Sequence, residues 1–167
     1  MARAHPEFAL RPFLVEDTPL LAEIFRASIE ELTGDDYTEG QRQAWASAAD
    51  DEGAFAQRLG DQLTLIATMN GSPVAFASLV NNETIDLIHV HPGVARQGAG
   101  TILVDALEKL AAARGAKRLT ADVSDDTQDF FRKRGFSAQQ RNTVLRGGEW
   151  LTNTTMEKTL ATARGAA

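Results

Sequence analysis

The sequence predicts an α+β (mixed α/β) fold: a central, largely antiparallel mixed sheet of about seven strands flanked by about four helices. Two observations predict it. Apolar residues recur at helical spacing as far as Leu59, and from Leu63 they change to β-branched and apolar runs of strand length. Further on, helical patterns separate strands that no tight turn joins, so the sheet must contain a parallel crossover beside antiparallel neighbours. At 167 residues, with 43% of them apolar, the chain can bury one full core, and a single domain over 1–167 is expected, its core about 7–160.

Taken in order, Glu7 to Phe13 reads as a short strand, and Pro12, which has no N–H for a ladder, holds it to an edge or strand end. Asp17 stands where it can cap a helix to about Leu32, with Pro19 in the first turn and Leu20, Leu21, Ile24, Phe25 and Ile29 at helical spacing. Thr38 and Gln41 match a capping box before a helix carrying Trp45, and a helix from about Asp51 to Leu59 holds Phe55. "LTLIATM" and "PVAFASLV" flank Asn70–Gly71, a hairpin signal, and "ETIDLIHVHP" continues the meander until Pro92 ends it. A helix from about Gly98 to Arg114 carries Ile102, Leu103, Ala106, Leu107 and Leu110 on one face and Asp105 and Lys109 outward, and Gly115 stops it. "KRLTADVS" is a strand and "DDTQDFFRKRGF" a short helix ended by Gly135. "FSAQQRNTVL" and "NTTMEKTL" are closing strands around "RGGEW".

Composition narrows the chemistry. With no cysteine, disulfides, thiolate zinc sites and cysteine nucleophiles are excluded. A net charge of −6 argues against duplex nucleic acid as a partner, because phosphate neutralisation needs a basic face. No stretch reaches the roughly 18 apolar residues of a membrane span, and "MARAHPEFALRPF" lacks an apolar signal core. A cytoplasmic protein with neither nucleic-acid nor membrane partner is expected. The tail "ATARGAA" reads as a frayed end.

The run "HVHPGVARQGAG" joins a strand to a helix through glycines. There main-chain N–H groups converge without a Cβ in the way, at the positive end of the helix, which suits phosphate. Two phosphate loops fail on it. Ala99 stands where a nucleotide-triphosphate loop needs lysine, and Leu103 where the dinucleotide fingerprint needs its third glycine. What remains resembles the acyl-CoA loop of the GNAT superfamily of N-acetyltransferases: "V-x-P", then Gln or Arg, two residues, Gly, one residue, then Gly or Ala. Here the match is "VHPGVARQGAG", with Ala95 in place of Gln or Arg. "SDDTQDFFRKRGF" resembles the family's next signature at Gly135 and Phe136, with Ser124, Thr127 and Phe131 replacing Asn, Ala and Tyr.

The resemblance covers nearly the whole chain and implies a GNAT-like sheet splayed between its fourth and fifth strands, with acetyl-CoA as cosubstrate. It implies cofactor contacts along Ile88, His89 and Val90, through the loop Ala95, Arg96, Gln97, Gly98, Ala99, Gly100 and Thr101, and at Ser124 and Phe131. It also implies a primary amine as acceptor, a small molecule ahead of a protein, attacking directly in a ternary complex. Asp86 is the favoured general base, because some members of the family carry a catalytic Glu on this strand. Glu83 is the runner-up, and His89 a base or water-chain member. Phe131 cannot donate the proton a Tyr would, so Tyr37, the one tyrosine, is a candidate acid and pocket residue, beside Ser124 or unaided departure of the thiolate. Trp45 and Trp150 are candidate acceptor contacts. His89 and His91 share a strand face but lack a third ligand, with His5 in the N-terminal tail, so no metal is expected. The polar segment "RNTVLRGGEWLTNTTMEK" offers acceptor contacts or the edge of a possible homodimer. The losses at Ala95 and Phe131 keep a second class open, a non-catalytic acyl-CoA-binding module.

Overall fold

A computed structural model describes residues 7–161, which leaves His5 and most of the C-terminal tail outside the described residues. The elements run β1 (Ala9–Pro12), α1 (Thr18–Leu32), α2 (Glu39–Ala46), α3 (Glu52–Asp61), β2 (Leu63–Met69), β3 (Ser72–Val80), β4 (Thr84–Val90), α4 (Ala99–Ala113), β5 (Arg118–Ser124), α5 (Gln128–Lys133), β6 (Ser137–Arg146) and β7 (Glu149–Thr159). They form one seven-stranded sheet ordered β1-β2-β3-β4-β5-β7-β6, in which β4–β5 is the parallel pair and every other neighbour is antiparallel.

Local chemistry sets most boundaries. Thr38 and Gln41 form the reciprocal capping box at the start of α2, and Asp51 accepts the Ala54 N–H at the start of α3. Asn70 and Gly71 both take positive φ, 54° and 83°, as a two-residue hairpin turn matched to strand twist requires. Gly147 and Gly148 do the same at 53° and 84°, so β6 and β7 meet there and Trp150 lies within β7. Asp17 differs from expectation. Its side chain does not cap α1; the carboxylate accepts the Leu14 N–H at 2.8 Å and two bonds from Arg11 at 2.8 and 2.7 Å, which tie β1 to the start of α1. The guanidinium of Arg11 holds this carboxyl below its ordinary range, against the opposing effect of burial.

Both faces of the sheet are covered. Leu65, Ala67, Ala75, Ala77 and Leu79 pack with Leu103, Val104 and Leu107 of α4 and with Phe131 and Phe136, while Ile66 and Phe76, one residue out of phase, pack with α1 and α3. Two-sided burial explains why β2 and β3 read as continuous apolar runs, whereas β6, exposed at the sheet edge, is mostly polar. No helix among the described residues is long and apolar enough to cross a membrane.

Phe76 is fully buried between the sheet and Phe55. Phe76→Ala is expected to lower unfolding free energy by about 3–5 kcal/mol in urea titrations. Leu145→Ser, at an exposed position of β6, is expected to change it by less than about 0.5 kcal/mol.

Candidate active site

β4 and β5 pair at two positions, Thr84 with Thr120 and Ile85 with Ala121. The two threonine hydroxyls bond each other at 2.9 Å, and the Thr120 N–H donates to Glu83 O at 2.9 Å. Past Ile85 the strands part. On its other edge β4 shifts register against β3: Leu79 faces Ile85 and Ser78 faces Leu87, so Asp86 is the extra residue of a bulge. The bulge switches faces, because Ile85 packs with the α4 core while Leu87 joins the core under α1 and α3. The His91 N–H donates to Val74 on β3, so strand alternation turns the main-chain groups of Ile88 and Val90 toward the gap. A cleft of about 430 Å³ occupies this gap. Ala95, Arg96, Gly100 and Phe130 line one part of it, and Phe25, Ser28, Tyr37, Trp45, Arg58, Asp86 and His89 another.

The turn before α4 supplies hydrogen-bond donors. Val94 N–H donates to His91 O, Ala95 N–H to Pro92 O, and Ile102 N–H to Gly98 O. Between them, the N–H groups of residues 96–101 find no acceptor among the described residues. Arg96 and Gly98 hold φ of 63° and 101°, and such left-handed steps help successive N–H groups curve around an anion. Gly100 has a separate reason to be glycine: a Cβ there would lie 3.2 Å from the Phe130 ring and 3.9 Å from Ile88 Cδ1. Phe130 is itself fixed by Arg134, whose guanidinium lies 3.9 Å from its ring centre, donates to Phe130 O at 2.9 Å and also bonds the Thr101 hydroxyl.

At the bulge, the Asp86 carboxylate accepts from Arg58 Nε at 2.9 Å and Gln62 Nε2 at 2.8 Å, with Arg58 Nη2 in ion-pair contact at 2.9 Å. All three contacts converge on Oδ2, leaving Oδ1 without a donor among the described residues. His89 stands next to an aromatic box, its ring centre 4.6 Å from Phe25, 5.6 Å from Phe76 and 6.2 Å from Trp45, with Nδ1 2.9 Å from the Ser28 hydroxyl. Burial, reinforced by the Arg58 charge and opposed by Asp86, pushes its pKa down to about 3, so the ring takes no proton near neutral pH. Tyr37 is committed. Its hydroxyl donates to Thr152 O at 2.7 Å and accepts from the Asp125 N–H at 2.9 Å, and burial pushes it up to about 12, so it serves as a strut and cleft wall with no proton to spare.

Other expected residues fall elsewhere. Glu83 lies at the closed end of the β4–β5 pair, outside the cleft, in an exposed ion pair with Arg118 at 2.7 Å. Trp150 is 60% exposed opposite Leu145, because β7 alternation turns Leu151 inward in its place. Phe131 reaches the cleft wall but is 1% exposed, its edges packed between Phe130 and Phe136. Ser124 lines the cleft and shares a 3.1 Å bond with Thr127. Ala99 is buried, Gln97 is exposed, and the Thr101 hydroxyl is taken by Arg134. His91 Nδ1 accepts the Gly93 N–H at 3.0 Å, and no group of three His, Cys, Asp or Glu among the described residues could hold a metal.

Three cleft residues escaped sequence reasoning. Arg58 reaches Asp86 across 28 positions, and no local pattern announces that pair. Ser28 had a signal, since it falls on the buried stripe of α1 between Phe25 and Ile29. Asp126 had one in the doubled acid at the β5–α5 junction; burial pushes its carboxyl up, and Oδ1 is enclosed without a partner among the described residues.

Comparison with known proteins gives this architecture a family. A family model described as an acetyltransferase (GNAT) domain matches residues 33–160. The chain is 29% identical over 144 residues to the uncharacterised N-acetyltransferase YafP of Escherichia coli, covering 86% of this chain and 91% of that protein. It superposes with a TM-score of 0.91 and 59% identity on a crystal structure described as a GCN5-related N-acetyltransferase and class-II aminotransferase from Rhodopseudomonas palustris, covering 96% and 99% of the two chains. The PaiA N-acetyltransferase of Thermoplasma acidophilum, solved in complex with coenzyme A, shares the fold at a TM-score of 0.76 and 19% identity, over 92% of this chain and 99% of that one. The open seam between β4 and β5, the donor-lined turn before α4 and the matched family model make this chain a member of the GNAT superfamily of N-acetyltransferases.

Proposed function

We propose that this protein transfers the acetyl group of acetyl-CoA to a primary amine of a small molecule, by direct attack within a ternary complex. The observation that carries this reading is one continuous cleft, lined at one part by the donor turn and at another by Asp86 and the aromatic residues, with the β4–β5 gap between. The residues present fit a pyrophosphate. Six N–H groups lack acceptors among the described residues, and Gly100 keeps the approach clear where any Cβ would crowd Phe130. Main-chain groups of Ile88 and Val90 face the gap and would hold the amide-bearing arm of the cofactor. When bound, acetyl-CoA supplies an acetyl group activated as a thioester.

An amine with a pKa of about 10.4 is roughly one part in a thousand neutral at pH 7, so losing its proton is part of the chemistry. Asp86 Oδ1 is the acceptor for that proton, directly or through water, while Arg58 and Gln62 hold the other oxygen and fix the carboxylate plane. No hydroxyl is required for the leaving group, since a thiol with a pKa of about 8.5 departs as thiolate near neutral pH. Phe131, at the position where the resemblance implies a Tyr, and the hydrogen-bonded hydroxyl of Tyr37 agree with departure unaided. A cleft of about 430 Å³ is on the scale of small-molecule sites and favours a compact acceptor.

Thiol release from acetyl-CoA across a panel of amines tests the reading. Asp86→Ala is expected to lower kcat/KM by about 10²- to 10⁴-fold while CoA still raises the melting temperature. CoA binding without turnover on any amine would point to a non-catalytic acyl-CoA-binding module, and no shift with CoA or acetyl-CoA would defeat both readings. For the cradle, Gly100→Val is expected to weaken acetyl-CoA binding about tenfold or more, measured by calorimetry. Ala95→Arg is expected to be tolerated or to tighten binding, because the cleft is open beside residue 95.

A further inference from the structure

Ser28 and His89 make an arrangement that the proposed function leaves unused. Ser28 Oγ lies 2.9 Å from Phe25 O and 2.9 Å from His89 Nδ1, and a hydroxyl has one proton to give. Were that proton directed at Nδ1, the Ser28 and Phe25 oxygens would face each other lone pair to lone pair at 2.9 Å inside the protein. With the proton on Phe25 O, both contacts are hydrogen bonds, provided Nδ1 carries hydrogen and donates to Ser28. A neutral imidazole protonated at Nδ1 has its lone pair at Nε2. That atom makes no hydrogen bond with any described residue and is not among the enclosed unpartnered atoms, and His89 lines the cleft beside Trp45, Arg58 and Asp86.

We infer that Ser28 fixes His89 as the Nδ1–H tautomer, and that the Nε2 lone pair is the hydrogen-bond acceptor that orients the attacking amine. This rests on the amine-acceptor reading above. The ammonium first loses one proton through Asp86 Oδ1 to solvent; as the N–C bond then forms and the C–S bond breaks, the nitrogen becomes cationic again, its N–H···Nε2 bond strengthens, a second proton leaves by the same route, and sulfur departs as thiolate. A ring that stayed protonated would repel the ammonium substrate. His89 avoids this because the elements packed against it bring one cation, Arg58 of α3, and one anion, Asp86 of its own strand; Phe25 and Ser28 of α1, Trp45 of α2 and Phe76 of β3 carry no charge. The unfolded chain protonates His89 below about pH 6.5, whereas the folded ring resists to about 3. Within that window its burial therefore destabilises the fold as pH falls, by up to about tenfold in the folding equilibrium per pH unit, and has no such effect above it.

Nitrogen-15 imidazole spectra of the full-length protein test the tautomer without acceptor or cofactor. Expected are a protonated Nδ1 and unprotonated Nε2 at His89 from pH 8 to 5, and a tautomer mixture in Ser28→Ala. With a reactive amine, His89→Ala is expected to lower kcat/KM for the amine about 10- to 100-fold while KM for acetyl-CoA moves less than about threefold. His89→Gln, whose amide oxygen can accept at the Nε2 position, is expected to recover part of the loss. An Nε2–H tautomer in the wild type overturns the inference and leaves acetyl transfer standing. So does a His89→Ala enzyme within about threefold of wild type. The Nδ1–H tautomer with no turnover of any amine overturns the transfer reading, and the orienting role with it.

Discussion

Everything at this site depends on a parallel pairing that stops after two positions. Thr84–Thr120 and Ile85–Ala121 close the sheet at one end of β4 and β5, and the strands then diverge. In an ordinary sheet the next ladder bonds would satisfy Ile88, Val90 and their counterparts on β5. Here those groups stay turned toward a gap. Unpaired backbone is costly when buried, so the gap is stable only if water or a ligand with its own amides fills it. The bulge at Asp86 is the matching device on the other edge, since it puts a carboxylate on the α3 side and brings His89 among the aromatic residues, while Ile88 continues to face α4.

The two parts of the cleft are built on opposite physical principles. The turn before α4 is a field of open main-chain donors beside the exposed Arg96 and Gln97, suited to a ligand recognised by its anionic oxygens. Beyond the gap each polar group is tethered: Asp86 by Arg58 and Gln62, His89 by Ser28, Tyr37 by Thr152 and Asp125. Such tethering limits how far the groups must reorganise when charge moves during reaction. Among the described residues, one Asp86 oxygen and one His89 nitrogen there are left without a protein partner, as is the enclosed Oδ1 of Asp126.

The fold was legible because its signals are local and repeated. Asn70–Gly71, the Thr38–Gln41 box and the change of apolar period at Leu63 each act within a few residues and agree with one another. The cradle was legible for the same reason, since its donors are main-chain groups whose placement follows from glycine and a helix start. Side-chain roles beyond the gap were less so. Arg58 meets Asp86 from another element, and no property of residues 83–89 distinguishes the exposed ion pair of Glu83 from the cleft position of Asp86. Trp150 was misjudged by where β7 begins: with the turn at Gly147–Gly148, alternation exposes Trp150 and buries Leu151. Tyr37 looked chemically available in sequence, and its two long-range hydrogen bonds remove that availability.

The same two-position pairing has a consequence for how the molecule opens. On one side of the seam, β1 to β4 and the helices α1 to α3 draw their register from residues 9–90; on the other, β5 to β7 draw theirs from 118–159. Besides that pairing and the packing of α4, the seam is bridged by the Tyr37 hydroxyl, by Gln41, which donates to Trp150 O at 2.7 Å, by the exposed Glu83–Arg118 ion pair, and by Asn82, which donates to Ala111 and Arg114 at the end of α4. Contiguous units joined mainly through side chains can open with different free energies. A cofactor lying along the seam would add bonds to both halves, and so turn two opening units toward one.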